Sequence, residues 1–88
     1  MIEITFSSHA LIQMKERGAS ADEVREAILK GEKTPAKKGR DAYRLNFQYD
    51  KIWGERHYAL KQVMPVVKEE SGRLIVITVY VFYFWEVL

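Results

Sequence analysis

Apolar residues change their spacing near the middle of the chain, and this change constrains the fold more than any other feature. Over residues 8–30 they recur at helical intervals, as Val24, Ala27 and Ile28 do at i, i+3 and i+4. From Tyr43 onward they alternate with polar residues, which is the pattern of a half-buried strand. Helices followed by strands predict an α+β fold, with a helical hairpin packed on one face of an antiparallel sheet.

Capping residues divide the helical region into two short helices. The first is predicted over Ser8–Arg17, with a serine at its N-cap and Gly18 in the left-handed position that follows its end. Ser20 and Glu23 form a capping box that starts the second helix, which ends at Gly31. On the first helix, a projection at about 100° per residue turns three residues toward the core: Ala10, Leu11 and Met14.

The rest of the chain predicts strands separated by turns. The expected strands are Ile2–Phe6, Tyr43–Tyr49, Arg56–Lys68 and Arg73–Trp85, with a loop over residues 50–55 and a hairpin turn over residues 69–72. Pro65 interrupts the third strand and favours a bulge or an edge position there.

The last strand is long and strongly apolar. One of its faces is expected to consist of Ile75, Ile77, Val79 and Val81, with Thr78 and Tyr80 on the other. The aromatic residues of the segment 80–85 lie on both faces, which is more than one small core covers, so we expect an exposed strand that pairs with a second copy or a partner protein. The alternative is burial beneath the loop that contains Trp53.

Composition limits the classes of protein that remain. Eighty-eight residues predict a single domain over residues 1–88, and the absence of cysteine excludes disulfides and thiolate metal ligands. Two distant histidines without a paired carboxylate argue against zinc, so we expect no metal and no cofactor. The N-terminus lacks the pattern of a signal peptide, and the C-terminal run is too short to span a bilayer, so a cytoplasmic protein is expected.

Basic residues cluster between the second helix and the first long strand. The cluster consists of Lys30, Lys33, Lys37, Lys38, Arg40 and Arg44, opposed only by Glu32 and Asp41. Such a patch attracts a phosphate backbone, although a solvated connector is the commoner explanation of a charge run. The predicted RNA-binding residues are Lys37, Lys38, Arg40 and Arg44, together with Lys61 on the third strand.

His9 is the leading candidate for proton transfer, because imidazole is the side chain whose unperturbed pKa lies near neutral pH. Gln13 and Arg17 follow it at i+4 and i+8, so the three side chains form a polar line along one border of the core-facing stripe. The alternative is that His9 is an ordinary capping residue, and that the stems of Gln13 and Arg17 merely cover apolar surface.

Several motifs resemble a bacterial and archaeal family of small domains of unknown function. They are Ser8-His9-Ala10, Met14, Glu16-Arg17-Gly18, residues 19–24 and the closing strand Ile77-Thr78-Val79-Tyr80. That family is similar to the barnase, EndoU, colicin D and RelE-like ribonucleases, many of which are toxins of toxin–antitoxin pairs. The resemblance implies a helical unit on an antiparallel sheet, cleavage of RNA without a metal, and an antitoxin as partner.

The resemblance also implies that His9 is catalytic, with Arg17 and Thr78 in support, and we add Tyr80 to this set. Attack of a 2′-hydroxyl on phosphate requires a base, an acid and cations, which histidine and arginine supply. His57 is either a second proton donor or an exposed residue at the start of a strand.

Two departures from the family pattern favour a different function. Gln13 stands where the family often has arginine, and residues 53–65 do not read as a simple apolar strand. The alternative to a toxin ribonuclease is therefore a non-catalytic module of the same fold that binds RNA or another protein.

Overall fold

The computed structural model describes residues 2–85, which form two helices and a five-stranded sheet. The elements are β1 (Glu3–Phe6), α1 (Ser8–Arg17), α2 (Ala21–Lys30), β2 (Glu32–Pro35), a 3₁₀ turn (Lys37–Gly39), β3 (Asp41–Trp53), β4 (Arg56–Glu70) and β5 (Arg73–Phe84). The strand order is β1-β5-β4-β3-β2, and every neighbouring pair is antiparallel except β1 with β5. This arrangement confirms the predicted α+β class.

The helices begin and end where their capping residues predict. The side chain of Ser7 accepts a hydrogen bond of 3.0 Å from an amide in the first turn of α1, and Gly18 ends that helix with φ of 82°. Ser20 and Glu23 make both hydrogen bonds of the capping box, which fixes the start of α2. None of the helices within residues 2–85 has the length and apolar character needed to cross a membrane.

Both helices pack on the same face of the sheet, which we call the helix-covered face. Helix α1 lies over β5, and α2 lies over β3 and β4. The residues buried between them are mainly small and β-branched: Ala10, Met14, Val24, Ile28, Val63, Val67, Val76 and Val79. The opposite face, which we call the open face, carries no helix in the described part of the chain.

A β-bulge in β5 corrects the predicted faces of that strand. The register passes from Val67↔Val76 to Val66↔Thr78, so Ile77 is the extra residue. One extra residue reverses the alternation of side chains. The buried residues are therefore Leu74 and Val76 before the bulge and Val79 after it, and the expected single face containing Ile75 and Ile77 is wrong.

The strands β2 and β3 differ from the sequence prediction. Strand β3 continues through the expected loop to Trp53, leaving only Gly54 and Glu55 to turn the chain into β4. A register shift after Gln48, with Asp50 at φ of 48°, absorbs an extra residue within this hairpin. Strand β2 is too short to show a period, so it was not predicted.

Pro65 lies buried in β4, the central strand, and the edge position is therefore wrong for it. Pairing of β3 with β4 lapses between Ala42↔Val66 and Leu45↔Val63, opposite the proline. Proline has no N–H to donate, so the sheet loses a ladder hydrogen bond there. The register shift between β4 and β5 lies one residue further on, between Val66 and Val67, and its extra residue is Ile77 of β5 rather than a residue of the strand that contains Pro65.

Candidate functional site: the edge of strand β5 and the open face

Side chains from α1 close the outer edge of β5 beyond the end of β1. The Ser7 hydroxyl donates to the carbonyl of Ile77 at 3.2 Å. The backbone N–H of Val79 donates to Oε1 of Gln13 at 2.9 Å, and Nη1 of Arg17 donates to the Val79 carbonyl at 2.8 Å. These side chains satisfy backbone groups that would otherwise need a neighbouring strand.

The buried stripe of α1 is rotated relative to the predicted one. Gln13 is only 8% exposed, whereas Leu11 is 50% exposed, which reverses their expected positions. The cause is the location of α1 at the free edge of β5, where the backbone offers polar groups rather than apolar surface. A buried amide that pairs with that backbone is more stable than leucine there, because leucine would leave the N–H of Val79 without a partner.

Arg17 extends from the helix-covered face around this edge to the open face. Its guanidinium carbon lies 5.5 Å from the centre of the Tyr80 ring. Its own carbonyl accepts a hydrogen bond of 2.6 Å from the hydroxyl of Tyr83. Arg17 therefore connects the border of α1 to the aromatic residues of β5.

A cleft of about 430 Å³ on the open face brings together residues predicted separately from the sequence. Its wall includes Lys37 and Arg40 from the β2–β3 connection and Thr78 and Tyr80 from β5. Arg17 adjoins it through the contact with Tyr80. The cleft thus combines cations, a hydroxyl and an aromatic ring in one place.

The basic residues of the predicted cluster fall into two groups. Three are in ion pairs with acidic neighbours: Lys30 with Glu26, Lys33 with Asp41 and Arg44 with Glu32. The other three, Lys37, Lys38 and Arg40, have no ion-pair partner within residues 2–85. We call these three the basic turn, and they are the cations available to an anionic ligand.

A line of aromatic rings runs along the open face of β5. Tyr80, Phe82 and Phe84 are each 40–42% exposed. The rings of Tyr80 and Phe82 are 6.4 Å apart and nearly parallel. Aromatic rings flanked by cations are typical of surfaces on which nucleic-acid bases stack. Phe82 and Phe84 were not among the predicted site residues, although their alternation with Val81 and Tyr83 indicates a shared face.

His9 lies in the first turn of α1, on the same border as Gln13 and Arg17, and is exposed. Ser7 and Gln13, which flank it in sequence, both contact β5, so His9 stands beside the edge of β5 near Ile77–Val79. Within residues 2–85 no hydrogen bond or ion pair involves its imidazole. His57 is also exposed, at the end of the β3–β4 hairpin opposite Ile52, and neither histidine lines the cleft.

Lys61 is buried and lies on the helix-covered face, away from the open face. Its Nζ is 2.8 Å from the carboxylate of Glu23 and 2.9 Å from the carbonyl of Gly18. Burial raises the pKa of Glu23, but hydrogen bonds from Lys61 and from the Ser20 N–H outweigh it, so this pKa is below its ordinary value. The contacts give Lys61 a structural role, and its alternation with Val63 is the signal that indicates burial.

Aromatic residues on the helix-covered face form a separate cluster around Tyr83. Its ring stacks on Trp53 at 5.1 Å and contacts Tyr49 at 5.4 Å. Burial raises the pKa of Tyr83 to about 12, and Tyr49 and Glu23 add to this effect. The region around Trp53 therefore covers Tyr83, as one alternative for the C-terminal run predicted, while Phe82 and Phe84 stay exposed.

The described residues contain no candidate metal site. No group of three or more histidines or carboxylates within residues 2–85 is arranged to hold an ion.

The fold and the site define a small α+β domain whose open sheet face combines aromatic rings with cations that have no ion-pair partner among residues 2–85. A family model described as a domain of unknown function (DUF4258) matches residues 6–81 of the chain. Because the match covers most of its length, the chain belongs to the DUF4258 family. Comparisons with curated proteins and with solved structures find no match.

Proposed function

We propose that this domain binds single-stranded RNA on its open face and cleaves it without a metal ion, as the toxin of a toxin–antitoxin pair. The observation that carries the proposal is the position of Arg17. This side chain joins the border of α1, where His9 lies, to the open-face cleft through the edge of β5. The toxin role rests on the resemblance of the sequence motifs to toxin ribonucleases.

Binding is supported by the arrangement of charge and aromatic surface. The basic turn lies at one side of the open face and provides cations for phosphates. Tyr80, Phe82 and Phe84 provide rings on which unpaired bases stack, each worth about 1–3 kcal/mol. A duplex hides the faces of its bases, so this surface favours single strands.

Cleavage is supported by the residues at the edge of β5. Arg17 uses one of its N–H donors on Val79, and the other donors of its guanidinium face no described acceptor and suit a phosphate oxygen. Thr78 and Tyr80 supply hydroxyls in the same cleft. His9 is exposed on the border of α1 that faces the edge of β5, and it is the group proposed to take the 2′-hydroxyl proton or to protonate the leaving oxygen.

The test is cleavage of a labelled single-stranded RNA in EDTA by the wild type, His9→Ala and His57→Ala. We expect the wild type and His57→Ala to cleave, and His9→Ala to lose at least about 100-fold in rate, as removal of a general acid or base does. His57→Ala is the matched control, since it removes the other exposed histidine. Equal cleavage by all three proteins, or none by the folded wild type, contradicts the enzymatic proposal.

A second candidate function is binding of RNA without cleavage. The observation in its favour is that no described group holds the imidazole of His9 in one orientation, whereas a catalytic base is usually oriented by a neighbour. Under this proposal RNA is bound with a strong dependence on salt, and no cleavage products form.

The outer edge of β5 is the proposed contact for a protein partner, either an antitoxin or a second copy. Hydrogen-bonding direction alternates along a strand, so Val81 and Tyr83 point their backbone groups to the same edge as Val79. Within residues 2–85 these groups have no partner on that edge. Light scattering of the purified chain distinguishes the two cases, because a dimer identifies the second copy as the occupant.

A further inference from the structure

We propose that Asn46 and Gln62 determine which base the domain prefers, by reading the edge of a nucleobase stacked on Phe82. This inference rests on the RNA binding proposed above and concerns the base specificity of that binding. Three side chains, those of Phe82, Gln62 and Asn46, form a row across the open face. Gln62 is directly opposite Phe82 in β5 and directly opposite Asn46 in β3.

The row places a stacking surface beside two amides. Directly opposite residues of neighbouring strands have Cβ atoms about 4.5–5.5 Å apart and point to the same face. Phe82 is 42% exposed, so a base can lie on its ring. The edge of that base then points along the row toward Gln62 and Asn46.

The two amides are already oriented by one another. Nε2 of Gln62 donates to Oδ1 of Asn46 at 2.9 Å. This hydrogen bond leaves Oε1 of Gln62 and Nδ2 of Asn46 without a partner among the described residues. The pair therefore presents a carbonyl acceptor on Gln62 beside N–H donors on Asn46, and the internal hydrogen bond lowers the entropy lost when the ligand binds.

A second cleft, of about 500 Å³, gives the base room beside these amides. Asn46 and Gln62 line it together with Arg44, and the junction of α2 with β2 at Gly31 forms another part of its wall. Asn46 is four residues along β3 from Ala42, which lines the first cleft, so the two clefts are about 13 Å apart along the strand. One bound strand thus passes from the basic turn to this row.

Adenine offers an N–H donor next to a ring-nitrogen acceptor, for which asparagine and glutamine are the usual bidentate partners. The edge of an unpaired cytosine offers the same two groups, whereas uracil has no amino group. We therefore expect oligoadenylate and oligocytidylate to bind more tightly than oligouridylate.

The experiment measures binding of 2′-O-methyl oligonucleotides, which resist cleavage by 2′-hydroxyl attack, to the wild type and three variants. The variants are Asn46→Ala, Gln62→Ala and the control Gln48→Ala. Gln48 is a comparable exposed residue on β3, the strand of Asn46, but its side-chain amide donates a hydrogen bond to Asp50. All three positions are at least partly exposed, and circular dichroism checks that each variant folds.

We expect the wild type to prefer oligoadenylate over oligouridylate by at least about fivefold, the lower end for a bidentate base contact. Asn46→Ala and Gln62→Ala should lose this preference while keeping their affinity for oligouridylate, and Gln48→Ala should retain it. A wild type that binds all three oligonucleotides equally, or a preference that survives in both variants, overturns the inference. Absence of binding to any oligonucleotide instead overturns the proposed RNA binding itself.

Discussion

A buried amide at position 13 supplies a hydrogen bond that elsewhere in the sheet comes from a neighbouring strand. Gln13→Ala leaves the N–H of Val79 buried without a partner. We expect this change to lower the free energy of unfolding by about 1–3 kcal/mol, measured by urea denaturation. Ile12→Ala is the control, because Ile12 is 58% exposed on the same helix and its truncation should change stability by less than about 0.5 kcal/mol. Equal effects of the two changes would contradict this role for Gln13.

The ion pair between Glu23 and Lys61 makes the stability of the protein depend on pH in the acidic range. The pKa of Glu23 is lowered in the folded state, so its contribution is present above its ordinary pKa of 4.5 and is lost as pH falls through the folded value. We expect Glu23→Gln to be less stable than the wild type at pH 7 and to lose less stability below about pH 4.5.

Glu26→Gln is the matched control for this prediction, since Glu26 pairs with Lys30 at the surface of the same helix. Chemical denaturation at several pH values measures all three proteins. The prediction fails if Glu23→Gln and the wild type lose stability in parallel as the pH falls.

At the residue scale, the sequence indicates where cations occur better than it indicates whether they are solvated or buried in ion pairs. The basic turn could be predicted, because a run of like charges stays solvated unless acidic residues lie opposite it. Lys61 could not, because a carboxylate 38 residues away in sequence compensates its charge. The same limit applies to Gln13, whose partner Val79 is 66 residues away.

At the scale of elements, Gly18 joins the end of α1 to the aromatic cluster of the helix-covered face. Its φ is +82°, and a Cβ there would lie 2.6 Å from the Tyr83 hydroxyl and 2.7 Å from the Trp53 ring. Gly54 has a φ of +67° with nothing within 4 Å of the same position. The two glycines therefore share the left-handed conformation but differ in packing.

Gly54→Ala should cost about 1 kcal/mol, from the left-handed conformation alone. Gly18→Ala should cost about 2 kcal/mol more, because Tyr83 and Trp53 must also move. Thermal and urea denaturation of both variants measure the difference. Similar losses in the two variants would show that the close packing at Gly18 contributes nothing.

The helices were predictable as elements, whereas the strands were only partly so. The signals that define α1 and α2, Ser20 with Glu23 and the glycine that ends α1, are local and act within one turn. The faces of β5 were not predictable, because its bulge at Ile77 arises from pairing with β4. Pro65 was expected at a bulge or an edge for a similar reason, since its neighbours in space decide whether a lost hydrogen bond is tolerated.

At the scale of the whole molecule, the basic turn should determine how RNA binding depends on salt. Each phosphate contact with a single strand contributes about 0.7 to the slope of log K against log salt concentration. Neutralising Lys37, Lys38 and Arg40 to Gln should therefore reduce the slope by about 2. Fluorescence anisotropy between low and moderate salt measures the slope.

The control for this prediction neutralises Lys15 and Arg25 on the two helices and Lys51, whose Nζ lies over the Tyr49 ring of the helix-covered face. It changes the net charge of the chain by the same amount, so a difference between the two variants reports position rather than total charge. Equal slopes would indicate that RNA does not lie on the open face.

Some residues of the candidate site could be named from the sequence, but the surface they form could not. Arg17, Thr78 and Tyr80 are far apart in sequence, and the fold brings them to one edge of the sheet. Phe82 and the row that contains Gln62 were not singled out, because their shared face depends on the register of three strands. That register is set by the hairpin turns together with two bulges, which local sequence patterns do not specify.

The pairing of β1 and α1 with β5 also determines when this protein is able to fold during its synthesis. β1 needs residues 73–76 as its neighbour, and Gln13 and Arg17 need Val79. A nascent chain that lacks β5 therefore exposes the apolar side of α1, and contacts so distant in sequence form slowly. Ribosomes carrying the chain should hold it in a protease-sensitive form until residues 73–84 have emerged.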